Sequence, residues 1–148
     1  MRLVVQRVTN ASVEVENNIV GEINEGLMVL VGFGVNDSTR EADYLAKKLV
    51  KLRIFQDENG RMNKSVKDIG AKLLLVPQFT LYASTKKNRP SFHKALNPDI
   101  ATDLFDYFAD KCGEVVDVET GEFGAYMKVN LLNNGPVTIL LEKEFEED

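Results

Sequence analysis

The stretch Leu73-Leu74-Leu75-Val76-Pro77-Gln78-Phe79-Thr80-Leu81 is the centre of this chain. Five of its nine residues are aliphatic, and polar, turn-like regions lie on both sides of it, so it predicts a strand buried on both faces. Alternation along a strand puts the Gln78 and Thr80 side chains on the same face. A buried amide or hydroxyl costs about 1–3 kcal/mol when unpaired. We therefore expect both groups to bond to neighbours or to face a cavity that holds something polar.

Pro77 makes this strand irregular, because proline donates no backbone hydrogen bond and lies in strands only at an edge or a bulge. Regular pairing is expected to end there and to leave the N–H groups just after Pro77 free to meet a ligand. A plain strand end, in which the glutamine and threonine are satisfied locally, is the alternative that this stretch alone leaves open.

The remaining strands come mostly as short apolar runs. Residues 27–34 are apolar on both faces and predict a second central strand, in which Gly32 and Gly34 indicate a bulge or a close backbone approach. Residues 12–23 predict a hairpin that turns at Asn17-Asn18. Further strand candidates are residues 2–8, 53–55, 115–118, 125–132 and 137–142.

Two helices have clear start signals. Ser38-Thr39-Arg40-Glu41 has capping-box spacing, and Asn97-Pro98 supplies an N-cap followed by proline. The second helix should end at Gly113 and bury a wide stripe that includes Ile100 and Cys112. The predicted class is α+β, with a mostly antiparallel sheet or barrel-like core and two long helices packed on one side. Residues 1–148 are expected to form one domain.

Composition excludes several classes of function. With one His and one Cys there is no His/Cys metal cluster, and no metal or other cofactor is expected. The chain has neither a phosphate-binding glycine fingerprint nor a Gly-x-Ser-x-Gly elbow. A net charge of −5 argues against coating nucleic acid by bulk attraction. The absence of a transmembrane-length apolar run and of a leader predicts a cytoplasmic protein without a membrane partner.

Two short segments contain the residues best suited to bind or position a ligand. One is Gln78-Phe79-Thr80, and the other is Asn134-Gly135-Pro136 with the two residues that follow. The Gly-Pro pair is expected in a loop that reverses two apolar strands, where its bond is compatible with cis or trans. Two carbonyls held at such a corner are suited to recognise an amino group. An ordinary hairpin turn is the alternative reading of this second locus, and His93 is expected to be a solvated surface residue.

Taken together, these loci resemble the D-aminoacyl-tRNA deacylase family, formerly D-tyrosyl-tRNA deacylase. The resemblance extends along nearly the whole chain. It is carried by Met1-Arg2 with Val5-Gln6-Arg7-Val8, residues 52–63, Gln78-Phe79-Thr80-Leu81, Arg89-Pro90-Ser91-Phe92, Thr120-Gly121-Glu122-Phe123-Gly124-Ala125 and Asn134-Gly135-Pro136-Val137-Thr138.

The resemblance implies a homodimer with active sites at the subunit interface. Gln78, Phe79 and Thr80 of one subunit would face Gly135 and Pro136 of the other, next to Asn134, and Arg7 would help to hold that corner. The implied reaction is hydrolysis of the ester that joins a D-amino acid, or glycine, to the acceptor end of tRNA.

Two residues depart from the family pattern. Pro77 stands where a serine is usual, and this Pro-Gln start is similar to a sister family that removes L-alanine wrongly attached to tRNA. Tyr126 stands where the family often has aspartate. Deacylation of L-Ala-tRNA, and a non-catalytic dimeric module that binds a small amino compound, are therefore the alternatives to D-aminoacyl-tRNA hydrolysis.

The chemistry needs no strong base, because an aminoacyl ester is already activated. Placing water and stabilising the oxyanion with backbone N–H groups at Phe79 and Thr80 would be sufficient. Thr80 is assigned to positioning rather than nucleophilic attack, since no base lies near it in the sequence. The compact basic stretch Lys86, Lys87, Arg89 and Lys94 is expected to contact acceptor-stem phosphates, with a solvated loop as the alternative.

Overall fold

The computed structural model describes residues 1–146, which contain eight strands and two α-helices. The strands are β1 (Arg2–Val15), β2 (Asn18–Ile23), β3 (Gly26–Gly32), β4 (Phe55–Gln56), β5 (Met62–Lys64), β6 (Lys72–Pro77), β7 (Val118–Thr120) and β8 (Lys128–Glu142). The helices are α1 (Thr39–Lys51) and α2 (Pro98–Gly113), and a short 3₁₀ turn, Phe79–Tyr82, follows β6. Neither α-helix in the described residues has the length and apolar character needed to span a membrane.

The main sheet is mixed. β1 pairs antiparallel with β2, β3 and β8, whereas β6 pairs parallel with β3 and with β7. Parallel neighbours need a long crossover, and α1 lies in the connection from β3 to β6 while α2 lies in the connection from β6 to β7. The predicted α+β class, with its barrel-like core and two helices, is confirmed.

The sheet curls, so its two faces bury two different cores. One core lies between the sheet and the helices and includes Leu3, Val5, Leu73 and Leu75. The other lies inside the curled sheet and includes Val13, Met28, Leu74 and Val76. Because consecutive residues of β6 alternate between the two cores, this strand is buried on both faces as its composition predicts.

Helix starts follow the sequence signals closely. Ser38 caps α1, and Glu41 completes the capping box through its side-chain contact with the Ser38 N–H at 2.7 Å. Asn97 caps α2 by accepting a hydrogen bond from the Asp99 N–H at 2.9 Å. Ile100 contradicts the predicted stripe, since its side chain is 56% exposed. It lies about 100° around α2 from Ala101, so its side chain is off the face that carries the buried residues.

Strand boundaries are less well predicted than helix starts. Residues 2–8 and 12–15 belong to one long strand, β1, which ends before Glu16, and residues 125–132 and 137–142 belong largely to another, β8. The expected strands at 53–55 and 115–118 are displaced to β4 and β7. The hairpin turn between β1 and β2 has its positive φ angles at Glu16 and Asn17, one residue earlier than expected.

Gly26 is the position at which the parallel β3–β6 pairing leaves no room for a side chain. A Cβ atom built on Gly26 would lie 2.0 Å from the carbonyl oxygen of Lys72. We expect Gly26→Ala to lower the free energy of unfolding by about 2–3 kcal/mol, because backbone atoms must move apart. Urea denaturation measures this loss. Gly113→Ala is the control: no atom lies within 4 Å of its Cβ position, so its stability should be unchanged or slightly higher.

Cys112 is a core residue, as its position in α2 predicts. Its side chain is fully buried, and burial raises the pKa of the thiol to about 12. Because the reactive species is the thiolate, we expect no labelling of the native protein by a thiol reagent at pH 8. The denatured protein should be labelled within the same time. Rapid labelling of the native form would contradict this burial.

Candidate functional site

The first part of the site is the turn that follows β6. Gly32 of β3 makes room for it, since a Cβ atom there would lie 2.8 Å from the Leu81 Cβ and 3.0 Å from the Gln78 carbonyl oxygen. Gly34 likewise makes room for the Tyr82 ring, whose nearest atom would lie 2.7 Å from an added Cβ. The two glycines therefore provide the close backbone approach that the sequence predicts, and they seat Phe79–Tyr82 against β3.

The backbone N–H groups of this turn are not equivalent. Pairing with β3 ends as predicted around Pro77, but the Gln78 N–H still donates to the Val31 carbonyl at 2.8 Å. The expectation of free N–H groups is therefore wrong for Gln78. Phe79 and Thr80 begin the 3₁₀ turn, where the first N–H groups have no partner within the turn. Among the described residues, neither N–H donates to a backbone carbonyl outside the turn.

The predicted burial of the Gln78 and Thr80 side chains is wrong, because the strand has already ended before them. Gln78 is half-buried and Thr80 is exposed. Their polar groups nevertheless bond to each other, with the Gln78 amide donating to the Thr80 hydroxyl. The side chain that contacts the Thr80 hydroxyl is therefore an amide donor and not a base.

A cleft of about 560 Å³ opens beside the turn. Pro77, Gln78 and Phe79 form one side of it, and Phe92 packs edge-on against Phe79 with ring centroids 5.0 Å apart. The opposite wall is formed by residues 123–127, in which Tyr126 is 88% exposed. This wall was not assigned a role from the residues alone, although its motif contributed to the family resemblance.

The cleft is mainly apolar, and Tyr126 is the one ionisable side chain among the described residues that line it. His93 is exposed and outside the cleft, where its Nδ1 lies 3.1 Å from the Ser91 hydroxyl. Its predicted surface position is confirmed. The polar groups available to a ligand are therefore the Gln78 and Asn97 amides, the Tyr126 hydroxyl and backbone groups. Backbone N–H donors suit the stabilisation of a developing oxyanion.

The second part of the site is the corner formed by Asn134, Gly135 and Pro136. The buried Arg7 guanidinium donates to the Asn134 carbonyl at 2.9 Å and to the Ile54 carbonyl at 2.7 Å. Gly135 has a φ of +135°, and its bond to Pro136 is cis. The corner itself is exposed. Arg7 therefore ties an outward-facing pair of residues to the body of the domain.

The expected chain reversal at this corner is wrong. Both halves of β8 pair antiparallel with β1, and the corner is a bulge between the pairs Gln6–Thr138 and Val8–Asn133. Between these pairs β1 contributes only Arg7, whereas β8 contributes residues 134–137. The apolar runs on each side of the corner resemble two strands because the bulge interrupts their pattern.

The corner and the cleft of one chain lie at different ends of the central strands. Leu3, Val31 and Pro77 are neighbours at the cleft end, and Arg7, Leu27 and Leu73 are neighbours at the corner end. Four residues of strand separate the two levels, or roughly 13 Å. Within the described residues, neither Gly135 nor Pro136 lines the cleft.

The predicted basic stretch is divided by the fold. Ser84 and Ser91 exchange backbone hydrogen bonds of 2.8 and 2.9 Å and close a loop that carries Lys86, Lys87 and Arg89 beside Phe92. Lys94 instead lines a separate pocket with Arg2 and Tyr82. All four basic side chains are exposed.

Comparisons with known proteins agree along almost the whole chain. The family described as D-Tyr-tRNA(Tyr) deacylase matches residues 4–142. The D-aminoacyl-tRNA deacylase of Thermosipho africanus (strain TCF52B) is 52% identical over 146 residues, which cover 97% of this chain and 98% of that protein.

Two solved structures have the same fold. The c-Myc DNA Unwinding Element Binding Protein is 39% identical, with a TM-score of 0.93 over 98% of this chain and 100% of that chain. A structure described as "Structural Analysis of a probable eukaryotic D-amino acid tRNA deacylase" has a TM-score of 0.80 at 19% identity and covers 95% and 97% of the two chains, so that likeness is one of fold.

The fold, the cleft and these matches define the chain as an enzyme, a hydrolase. It belongs to the D-Tyr-tRNA(Tyr) deacylase family.

Proposed function

We propose that this protein hydrolyses the ester bond of D-aminoacyl-tRNA, and of glycine mischarged on tRNA-Ala, and so removes wrong building blocks before translation. Residues 1–148 act as one domain, in the cytoplasm and without a metal or other cofactor. The observation that carries the proposal is the pair of N–H groups at Phe79 and Thr80, which begin a turn at the edge of an apolar cleft.

These donors suit the reaction because ester hydrolysis develops negative charge on the carbonyl oxygen. Preorganised N–H groups in an apolar site stabilise such an oxyanion without the reorganisation that water requires. The Gln78 amide and the Thr80 hydroxyl, bonded to each other, position the ester and the attacking water. The acyl group is already activated, so the cleft needs no histidine.

Two chains are required to complete each site in this proposal. The corner and the cleft of one chain are on different levels of the sheet, so the corner reaches a cleft only in a second copy. β8 is an edge strand among the described residues, and Leu140 on it is 68% exposed. An apolar edge of this length favours association with another copy. The active form is therefore a homodimer with two interfacial sites.

Selection between D- and L-substrates follows from exclusion. The carbonyls of the Arg7-held corner bind the amino group, and the α-hydrogen of the substrate faces a tight wall. An L-side chain collides with that wall, whereas a D-side chain points outward and glycine has none. Side-chain type should therefore matter little, and handedness should matter greatly. The closed loop with Lys86, Lys87 and Arg89, together with Lys94, holds acceptor-end phosphates.

The test is to incubate the purified protein with D-Tyr-tRNA, L-Tyr-tRNA, Gly-tRNA-Ala and mischarged L-Ala-tRNA and to measure released amino acid. We expect rapid release from the first and third and at least 100-fold slower release of L-tyrosine. Preferential release of L-alanine would instead support the relative suggested by Pro77. Failure to release any amino acid, or a monomer at concentrations where activity is measured, would overturn the proposal.

A further inference from the structure

A second basic surface lies on the exposed side of α1, away from the two cores, and continues just past the end of the helix. It consists of Lys47, Lys48, Lys51 and Arg53, which together with Asp43, Tyr44 and Leu52 line a groove of about 570 Å³. All four basic residues are exposed. This concentration of positive charge stands out on a chain whose net charge is −5. We call these four residues the α1 basic patch.

The charges of the patch are largely uncompensated. Among residues 1–146, none of its three lysines has a carboxylate within ion-pair distance. Asp43 is the one carboxylate that lines the groove within the described residues, and it accepts a hydrogen bond from the Tyr107 hydroxyl at 2.6 Å. Arg53 donates to the Asn63 carbonyl at 2.8 Å, which fixes its guanidinium near the groove. Its charge helps to lower the pKa of Asp68, but the two groups do not form an ion pair among the described residues.

The patch is next to the corner of its own chain. Arg53 immediately precedes Ile54, whose carbonyl accepts from the same Arg7 guanidinium that binds the Asn134 carbonyl. Lys51 is three residues before Ile54, a chain length of at most roughly 10 Å. One hydrogen-bonded arginine therefore couples the position of the α1 basic patch to the position of the corner.

We propose that the α1 basic patch binds acceptor-stem phosphates of a tRNA whose 3′ end occupies the cleft of the partner subunit. The inference rests on the proposed function, because the corner enters the partner's cleft only in that homodimer. Because the patch and the corner are held together in one chain, a corner that enters the partner's cleft brings the patch beside the opening of that cleft. Each tRNA is then held by the basic loop of one subunit and by α1 of the other.

Charge reversal tests the contact. Lys51→Glu should lower kcat/KM for D-Tyr-tRNA about 5–10-fold, and Lys47→Glu with Lys51→Glu should lower it further. The salt dependence should weaken, with the slope of log(kcat/KM) against log[salt] reduced by about 0.7–0.9 for each lost phosphate contact. Release of D-tyrosine from a CCA trinucleotide ester, which lacks the stem, should change less than about twofold.

Lys72→Glu is the matched control. Lys72 is exposed and lies at the same end of the sheet, but its neighbours in β6 place it on the face opposite the helices. Lys72→Glu changes the net charge by the same amount as Lys51→Glu and should leave kcat/KM for both substrates nearly unchanged. Equal losses of kcat/KM for Lys51→Glu and Lys72→Glu would mean that added negative charge repels RNA in general, and would overturn the proposed role of the patch.

Mixed dimers decide which cleft the patch serves. One dimer pairs a Phe79→Pro subunit that has an intact patch with an active subunit that carries Lys47→Glu and Lys51→Glu. The other pairs a subunit that carries all three changes with an unchanged subunit. In both dimers one cleft is active. If the patch acts on its partner's cleft, the active cleft faces an intact patch in the first dimer and a reversed patch in the second, so deacylation should be fast in the first and slow in the second. The reverse order, or equal rates, would overturn the proposal.

Binding of uncharged tRNA separates this inference from the proposed function. Fluorescence titration should give weaker binding for Lys51→Glu than for wild type or Lys72→Glu, whether or not any ester is cleaved. Suppose that the wild type binds tRNA without deacylase activity, and that Lys51→Glu but not Lys72→Glu weakens this binding. That result would contradict the proposed reaction and support tRNA binding by the patch. Normal tRNA binding by Lys51→Glu would overturn the patch while leaving the reaction intact.

Discussion

Replacing Gly135 by alanine is expected to lower kcat/KM for D-Tyr-tRNA by about 100-fold while the domain remains folded. At the Gly135 φ of +135°, an added Cβ would lie 2.9 Å from the Val137 Cγ2, 3.0 Å from the Val137 nitrogen and 3.1 Å from Arg7. Val137 is buried and directly precedes Thr138, which pairs with Gln6, so Val137 has little freedom to move and the corner has to yield. A misplacement of about 1 Å in a group that orients the substrate costs about two orders of magnitude.

Gly60→Ala is the matched control for this change. Gly60 also has a positive φ, +76°, but no atom lies within 4 Å of its Cβ position. Both variants pay a backbone penalty of about 1–3 kcal/mol for a side chain at positive φ, whereas only Gly135→Ala disturbs the corner. Steady-state deacylation and thermal unfolding are measured for both. Full activity of folded Gly135→Ala would remove the corner from the mechanism.

Phe79→Pro is expected to lower kcat by about 10²–10³, because it deletes one of the two N–H donors proposed to bind the oxyanion. Proline is tolerated at the first position of a helical turn, where the missing N–H has no intrahelical partner. Gln78, with φ −145° and ψ 86°, already lies outside the α region that a following proline disfavours. The backbone can therefore accept the change.

Phe79→Ala separates the loss of the donor from the loss of the ring. It removes the contact with Phe92 but keeps the N–H, so its main effect should be on KM. Single-turnover release of D-tyrosine from pre-bound tRNA measures the chemical step in both variants. If Phe79→Ala slows that step as much as Phe79→Pro does, the N–H of Phe79 does not stabilise the oxyanion.

Most local features of the fold could be predicted from sequence because each depends on neighbouring residues. The capping box at Ser38, the cap at Asn97 and the end of pairing near Pro77 follow from side chains within a few positions. The alternation of β6 between two cores follows from its composition. In each of these cases the local preference of the sequence agrees with the tertiary contacts of the fold.

Other features depend on partners far away in the chain. That residues 128–142 form one strand is decided by β1, which continues on both sides of the bulge. The bond from the Gln78 N–H to Val31 depends on the register of β3. The division of Lys94 from Lys86, Lys87 and Arg89 depends on how their loop closes. No local pattern contains this information.

The bulge in β8 allows residues that would contact a ligand to vary without changing the pairing of the sheet. Its flanking residues pair with β1 on both sides, so the sheet places few demands on the side chains of residues 134 and 136, whereas the φ of +135° and the close neighbours at residue 135 require glycine. New chemical preferences can therefore arise there by substitution or by a change of length without rebuilding the domain. A library randomised at residues 134 and 136, with Gly135 kept, should yield mostly folded proteins that differ in the ligands they accept.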